Sequence, residues 1–455
     1  MNPQIIIHAV FFFALGACIG SFLNVVIWRL PHRGREVVYQ GKTGKLTLSW
    51  PPSHCPICDT PIRWYQNVPI VAWFVLKGRC AKCASPISIR YPLVELATGV
   101  LFLGLFLAYF VAGSITQGES NVANYALLIV HLVLIATLIA ASAIDADWYI
   151  IPLSLPAFLA VVGVLVAPVL DHPAVPVLAP TSAWALPAIG ATIGLLVANV
   201  LVVLKIIPQS FANLPPVEPK KADAKKAEAR KEEEQLAPLP KLTKKGPSLA
   251  AIATLVVLVI AAWVGMSLKA AAFVMLVGGI VMFLIAVLPR DADTKDVTDE
   301  VVEEISTPHA RREILKEVLF LALPIGGATL AYYLPLHLPN VDWLGRLLGA
   351  LLGLLVGGGI VWFVRIFGTL LFGKEAMGLG DVHLMAGVGA IVGPVLVTFA
   401  FFFAPFLGIL WAIVLMVRRR PNVLPYGPWL SIASILSLLI AWPVIGWYRA
   451  VLIGQ

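Results

Sequence analysis

Residues 124–144 read NYALLIVHLVLIATLIAASAI, and the next residues are Asp145-Ala146-Asp147-Trp148. This run holds no Asp, Glu, Lys or Arg. It is long enough to cross a hydrocarbon core of about 30 Å as an α-helix, which takes about 20 apolar residues. The carboxylates at its end therefore fall at a bilayer boundary, where an ionised side chain is costly and is a functional hypothesis by default. A second boundary carboxylate is Asp381, which follows Gly378-Leu379-Gly380 and precedes another apolar run. Two carboxylates at close range in a poorly hydrated site cannot both ionise, so they share a proton, and such a pair can activate water for peptide hydrolysis. Asp145 and Asp381 are the expected catalytic pair. Asp147 either replaces Asp145 or tunes it. Gly378 and Gly380 are expected to let a substrate backbone approach Asp381 closely.

Working outward, apolar runs of membrane-spanning length recur at 5–28, 93–113, 124–144, 153–170, 184–207, 248–267, 270–288, 317–335, 344–366, 382–396, 397–417 and 430–448. The expected fold is therefore an all-α polytopic integral membrane protein of about twelve transmembrane helices. Composition agrees: the chain is 59% hydrophobic and 13% charged, with a mean hydropathy of +0.90. The N-terminal run has no basic residues before it and reaches Trp28, so it reads as a first helix rather than a cleavable signal. The net charge of +8 is better placed in loops beside anionic lipid than on nucleic acid, since no interleaved basic and aromatic pattern occurs.

Loop charge orients the helices. Segment 29–92 carries ten Lys and Arg side chains against Glu36 and Asp59, so it is expected on the cytoplasmic side. Counting helices forward then puts Asp145 and Asp381 on that same face. The expected organisation is a first helix (1–28), a small cytoplasmic domain (29–92), helices bearing the first aspartate (93–207), an inserted region (208–340) and the final helices (341–455). The inserted region holds a Lys-Ala-Glu linker from Pro215 to Pro247, a helical hairpin around Lys269 and an acidic loop near 291–304.

Within 29–92, Cys55-Pro-Ile-Cys58 and Cys80-Ala-Lys-Cys83 form two C-x2-C pairs. Such pairs can present four thiolates to one tetrahedral Zn²⁺, and a cytoplasmic location disfavours two disulfides. Four thiolates leave no open position, so the metal's role would be structural in a small zinc-ribbon-like domain. Cys18, inside the first helix, reads as a buried apolar cysteine. Asn24 and Glu95 are expected to make hydrogen bonds between helices.

Six blocks in order carry a resemblance: Gly20-Ser-Phe-Leu-Asn24 through Trp28-Arg29-Leu30-Pro31, the paired cysteines, Ile89-Arg90-Tyr91-Pro92, Ile144-Asp145 with Ile151-Pro152, Gly373-Lys374-Glu375-Ala376-Met377-Gly378-Leu379-Gly380-Asp381, and Pro425-Tyr426-Gly427-Pro428. Together they resemble the type IV prepilin peptidase family, whose G-x-G-D block is shared with presenilin-like proteases. The resemblance implies an aspartic endopeptidase of the bacterial inner membrane. It would cleave prepilins or pseudopilins of type IV pili and type II secretion after a glycine, at the cytoplasmic face. It also implies S-adenosylmethionine-dependent methylation of the new N-terminus, although the chain has no glycine-rich loop to cradle that cofactor. Spacing in relatives favours Asp145 over Asp147, because Pro152 lies seven residues beyond Asp145. The chain departs from relatives in its length, with an apparent insertion near 175–340, and at Leu153 and His383. The competing reading is a membrane scaffold or transporter subunit with a structural zinc ribbon. Oligomeric state is not legible.

Overall fold

The computed structural model describes residues 3–112, 121–208, 210, 277–282, 310–417 and 425–448. Over these the protein is almost wholly helical. The long helices are α1 (Pro3–Arg29), α3 (Arg90–Phe110), α4 (Val122–Trp148), α5 (Ser154–Val166), α6 (Ala185–Val203), α7 (Ala310–Tyr333), α8 (Asp342–Phe372), α9 (Leu379–Val417) and α10 (Gly427–Tyr448). Between α1 and α3 lies a small domain with a hairpin, β1 (Glu36–Tyr39) paired antiparallel with β2 (Lys42–Lys45), and a short helix, α2 (Val71–Val75).

Seven of the described helices, α1, α3, α4, α6, α7, α8 and α9, are long and apolar enough to cross a membrane. The expected span 153–170 shortens to α5, because its helix ends at Val166. Apart from the helical residues 277–282, the expected helices 248–267 and 270–288 lie outside the described residues, as do the linker 215–247 and the acidic loop. Among the described residues the structure thus carries the helical membrane architecture, with seven candidate spans.

Helix α9 is two helices. Gly393 has φ 82° and ψ 175°, which breaks the helical ladder there. A side-chain carbon on Gly357 of α8 would fall 2.1 Å from the Met385 carbonyl oxygen and 2.9 Å from Val397 Cγ2. In a straight helix those two residues would lie about 18 Å apart. Residues 379–392 and 394–417 therefore double back on each other. The expected break between 396 and 397 is displaced to Gly393, since only a residue without Cβ takes that backbone conformation cheaply. Hydropathy could not locate it because the apolar run is unbroken.

Helices α3 and α4 are buried along most of their length and form the centre of the bundle with α10 and the first half of α9. Small residues set the crossings: Gly16 and Gly20 of α1 lie against Thr98 and Glu95 of α3, and Gly163 of α5 lies against Ala390 of α9. Cys18 is exposed rather than buried, which on a membrane helix means a face turned toward lipid.

Candidate active site

Helix α4 delivers Asp145 in its last turn. The helix closes at Tyr149, which takes the left-handed conformation (φ 53°) and donates its N–H to the Asp145 carbonyl at 2.8 Å. The Asp145 side chain is turned into the bundle, and the residue is only 7% exposed. Its Oδ2 accepts the backbone N–H of Gly427, the first residue of α10, at 2.9 Å. A helix N-terminus suits a carboxylate, because its amides are unpaired and the helix dipole is positive there. Gly427 has no room for a side chain: a Cβ would stand 2.7 Å from Asp145 Oδ2.

Asp381 sits in the first turn of α9 and is 8% exposed. Its N–H donates to the Gly378 carbonyl at 3.2 Å, which starts the helix. The two carboxylates lie within electrostatic reach of each other. Ile151 ties their supports together, since it packs against both Gly380 and Gly427. Burial, and then the charge of Asp381, raise the Tyr426 phenol above its ordinary pKa. Burial and Asp145 do the same to Tyr149. The Tyr149 and Tyr426 phenols thus lie within electrostatic reach of Asp145 and Asp381 respectively.

The other sequence candidates have separate partners. Asp147 is ion-paired with Arg90 of α3 at 2.7 Å. Gly380 is filled from behind, where a Cβ would meet Ile151 Cβ at 2.9 Å, whereas a Cβ on Gly378 would lie 3.3 Å from Asp381 Oδ2. Asn24 donates to the Tyr91 carbonyl of α3 at 3.1 Å. Glu95 accepts the Ile70 N–H at 2.6 Å, which fastens the small domain to α3, and it also bonds the Ser21 side chain of α1, the expected link between two spans.

Sequence reading missed a buried ion cluster beside the G-x-G-D turn. Arg365 of α8 is 1% exposed. Its Nε and Nη2 bind the Glu317 carboxylate of α7 at 2.8–3.0 Å. Glu317 also accepts from Trp362 Nε1 at 2.6 Å and from Ser210 Oγ at 2.8 Å. The Arg365 Nη1 binds Glu375 and the Met377 carbonyl. The signal was present as isolated charges in the runs 317–335 (Glu317) and 344–366 (Arg346 and Arg365). Their pairing was not, because 48 residues separate the partners.

The four cysteines come together. Their sulfurs all lie within 4.8 Å of one another, with Cys55–Cys83 at 3.7 Å and Cys58–Cys80 at 4.0 Å. Tetrahedral thiolates about 2.3 Å from a zinc ion would be about 3.8 Å apart, so the cluster fits such an ion. The two knuckles repeat one design. Cys55 N–H bonds the Thr60 carbonyl and Cys80 N–H bonds the Ser85 carbonyl, and Asp59 and Ala84 both take positive φ. Hydrogen bonds to Ser85, side chain first and then backbone, lower the Cys83 thiol to about 6, toward the thiolate that binds metal.

Taken together, the fold and site define a helical membrane protein with a four-cysteine domain and a buried aspartate pair. Comparison with known proteins shows what the chain is similar to. Residues 14–109 match the bacterial peptidase A24 N-terminal domain, and residues 309–413 match the type IV leader peptidase family. The second match begins inside the stretch expected as an insertion, so α7 lies within the family region. A prepilin leader peptidase/N-methyltransferase of Myxococcus xanthus is 40% identical over 149 residues, which is 33% of this chain and 37% of that protein. A type 4 prepilin-like proteins leader peptide-processing enzyme of Escherichia coli O78:H11 is 43% identical over 143 residues, 30% of this chain and 48% of that protein. A prepilin leader peptidase/N-methyltransferase of Neisseria gonorrhoeae is 42% identical over 150 residues, with the same 30% and 48% coverage. The matches thus span less than half the length of these relatives. No solved structure matches the chain. The resemblance to the type IV prepilin peptidase family, first drawn from its motifs, is shown by these matches.

Proposed function

We propose that the protein is a membrane-embedded aspartic endopeptidase that removes the leader of prepilins or pseudopilins. The observation that carries this is the buried pair Asp145 and Asp381, held at the adjoining ends of α4 and α9. In the proposed reaction one carboxylate is ionised and the other protonated, with the nucleophilic water between them. The ionised group takes a proton from the water as its oxygen attacks the scissile carbonyl. The protonated group donates to the carbonyl oxygen, and a proton then passes to the leaving amine. The Gly427 N–H occupies Asp145 Oδ2, which leaves Oδ1 as the free face of that carboxylate. Asp147 is the less suitable acid, because Arg90 neutralises it.

The substrate implied is an apolar helix behind a short basic leader, cut after a glycine at the cytoplasmic face of the inner membrane. The basic domain 29–92 offers that leader no charge attraction, so recognition rests on the apolar helix and on a substrate carboxylate that pairs with a basic residue of this chain. Cys55, Cys58, Cys80 and Cys83 would hold a structural Zn²⁺ that stabilises this domain and takes no part in the chemistry. Methyl transfer would need S-adenosylmethionine. The groove of about 480 Å³ between α8 and α9, lined by Val356, Gly359, Ile360, Phe363, Val364, Phe401 and Phe402, has no polar group suited to it.

The test is co-expression with candidate prepilins, followed by mass spectrometry of the pilin N-terminus. Wild type should release the leader, and Asp145→Asn and Asp381→Asn should each leave it attached. A further mass gain of one methyl would add the transferase. Cleavage that persists in both variants would remove the dyad from the reaction.

A further inference from the structure

The turn between α8 and α9 has to hold Asp381 still, yet it contains three glycines (Gly373, Gly378 and Gly380). Its order comes from α8. Gly373 caps that helix in the left-handed conformation and donates to the Thr369 carbonyl at 2.9 Å. The Thr369 hydroxyl accepts the Ala376 N–H at 3.1 Å. One turn earlier on the same helix, Arg365 grips Glu375 and the Met377 carbonyl. The next carbonyl, that of Gly378, accepts the Asp381 N–H. A continuous chain of bonds therefore runs from the Arg365 guanidinium to the backbone of the aspartate. Arg365 is itself fixed, because Glu317 of α7 binds its other edge through two nitrogens. A planar five-donor fork can hold a carboxylate on one side and a carbonyl on the other, which a lysine cannot.

We propose that Arg365 is the positioning residue for Asp381, and that Glu317 sets the orientation of Arg365. This rests on the peptidase reading for its effect on cleavage, but not for its effect on the turn. Arg365 does not touch the reacting atoms. It holds the turn that presents them, and loss of that hold should appear in turnover more than in substrate affinity.

The experiment uses the full-length protein in lipid nanodiscs and two readouts. Steady-state cleavage of a prepilin that the wild type processes gives kcat and KM, and amide hydrogen exchange followed by mass spectrometry reads residues 374–381. Arg365→Gln should lower kcat about 100-fold, the usual cost of a small misplacement of a reacting group, with KM changed by less than about 3-fold. Exchange in 374–381 should accelerate, while exchange at the end of α4 stays as in wild type. Arg365→Lys should recover only a minor part of the lost turnover. Arg346→Gln, which breaks the pair with Asp171 at the other end of α8, should leave both readouts unchanged. Should Arg365→Gln fail to fold, Glu375→Gln carries the test, with the same two effects at about 10-fold in kcat, since one contact of the chain is lost. Wild-type turnover in the glutamine variant, full rescue by lysine, or unaltered exchange at 374–381 would each overturn the proposal. If wild type cleaves no prepilin, the peptidase reading fails, and the exchange data still decide whether Arg365 orders the turn.

Discussion

The end of the bundle that bears Asp145 holds two buried charge clusters built on opposite principles. At Asp145 and Asp381 two like charges are brought within reach of each other, with one backbone N–H on Asp145 and, among the described residues, no cation bonded to either. At Arg365 a single guanidinium is bound by Glu317, by Glu375 and by the Met377 carbonyl. Burial penalises both arrangements. The second offsets that cost with hydrogen bonds on every side and is therefore fixed. The first is relieved only in part, by the Gly427 N–H on Asp145 and by the charge of Arg365 near Asp381, and on the proposed peptidase reading it is the reactive one. Burying a charge does not itself mark chemistry; what marks it is burial that the surroundings offset only in part.

The largest effect is expected at the dyad. Asp145→Asn and Asp381→Asn should each reduce cleavage by about 10³-fold or more, and the double variant should be no worse, since the pair acts as a unit. Leader removal followed by quantitative mass spectrometry checks this, and additive losses would mean that the two act separately. Next in size is the four-cysteine domain. Cys58→Ser should abolish stoichiometric zinc in purified protein, read by elemental mass spectrometry, and should loosen residues 29–92 to limited proteolysis. An intact domain without metal would assign its stability elsewhere.

Smaller effects sharpen the contrast. Gly427→Ala puts a methyl group 2.7 Å from Asp145 Oδ2 and should cost about 10²-fold in kcat by moving that carboxylate. Asp147→Asn removes one partner of a partly exposed pair with Arg90, so its cost to stability should be about 1 kcal/mol or less, with cleavage retained. That variant also separates the two candidate acids of the first block. The smallest effect is at His172. Its Nδ1 accepts from the Ala174 N–H and its Nε2–H donates to Asn124, so the neutral ring is the satisfied form, and burial lowers its pKa against the opposing pull of Asp171. The unfolded ring titrates near about 6.5. The stability this ring contributes is complete above that pH and is lost as pH falls through the lower folded value. Thermal melts of wild type and His172→Gln between pH 7 and 5 should therefore converge as pH falls.

Much of this was legible in the sequence where the signal is local. The C-x2-C pairs and the aspartates at run ends are short patterns, and each implies its chemistry without knowledge of distant residues. Helix positions followed from apolar length, although α5 proved short and the reversal fell at Gly393. What stayed hidden depends on contacts between distant segments. Gly427 stands 282 residues from the carboxylate it binds, and nothing in Pro425-Tyr426-Gly427-Pro428 points to Asp145. The Glu317–Arg365 pair was hidden for the same reason. The expected use of Gly380, an open approach for substrate, gives way to packing against Ile151, because spacing cannot say which side of a glycine is filled.

The reversal at Gly393 also has a bearing on the lipid. Residues 379–392 form a helix of about 21 Å, against a hydrocarbon core of about 30 Å. Were the fold-back to lie at the far side of the core, such a helix would stop short of the near surface and leave Asp381 recessed beneath the headgroups. A thicker bilayer would deepen that recess and a thinner one open it to water. On the proposed peptidase reading, acyl-chain length would then be a variable of the reaction, and the host membrane part of its working geometry.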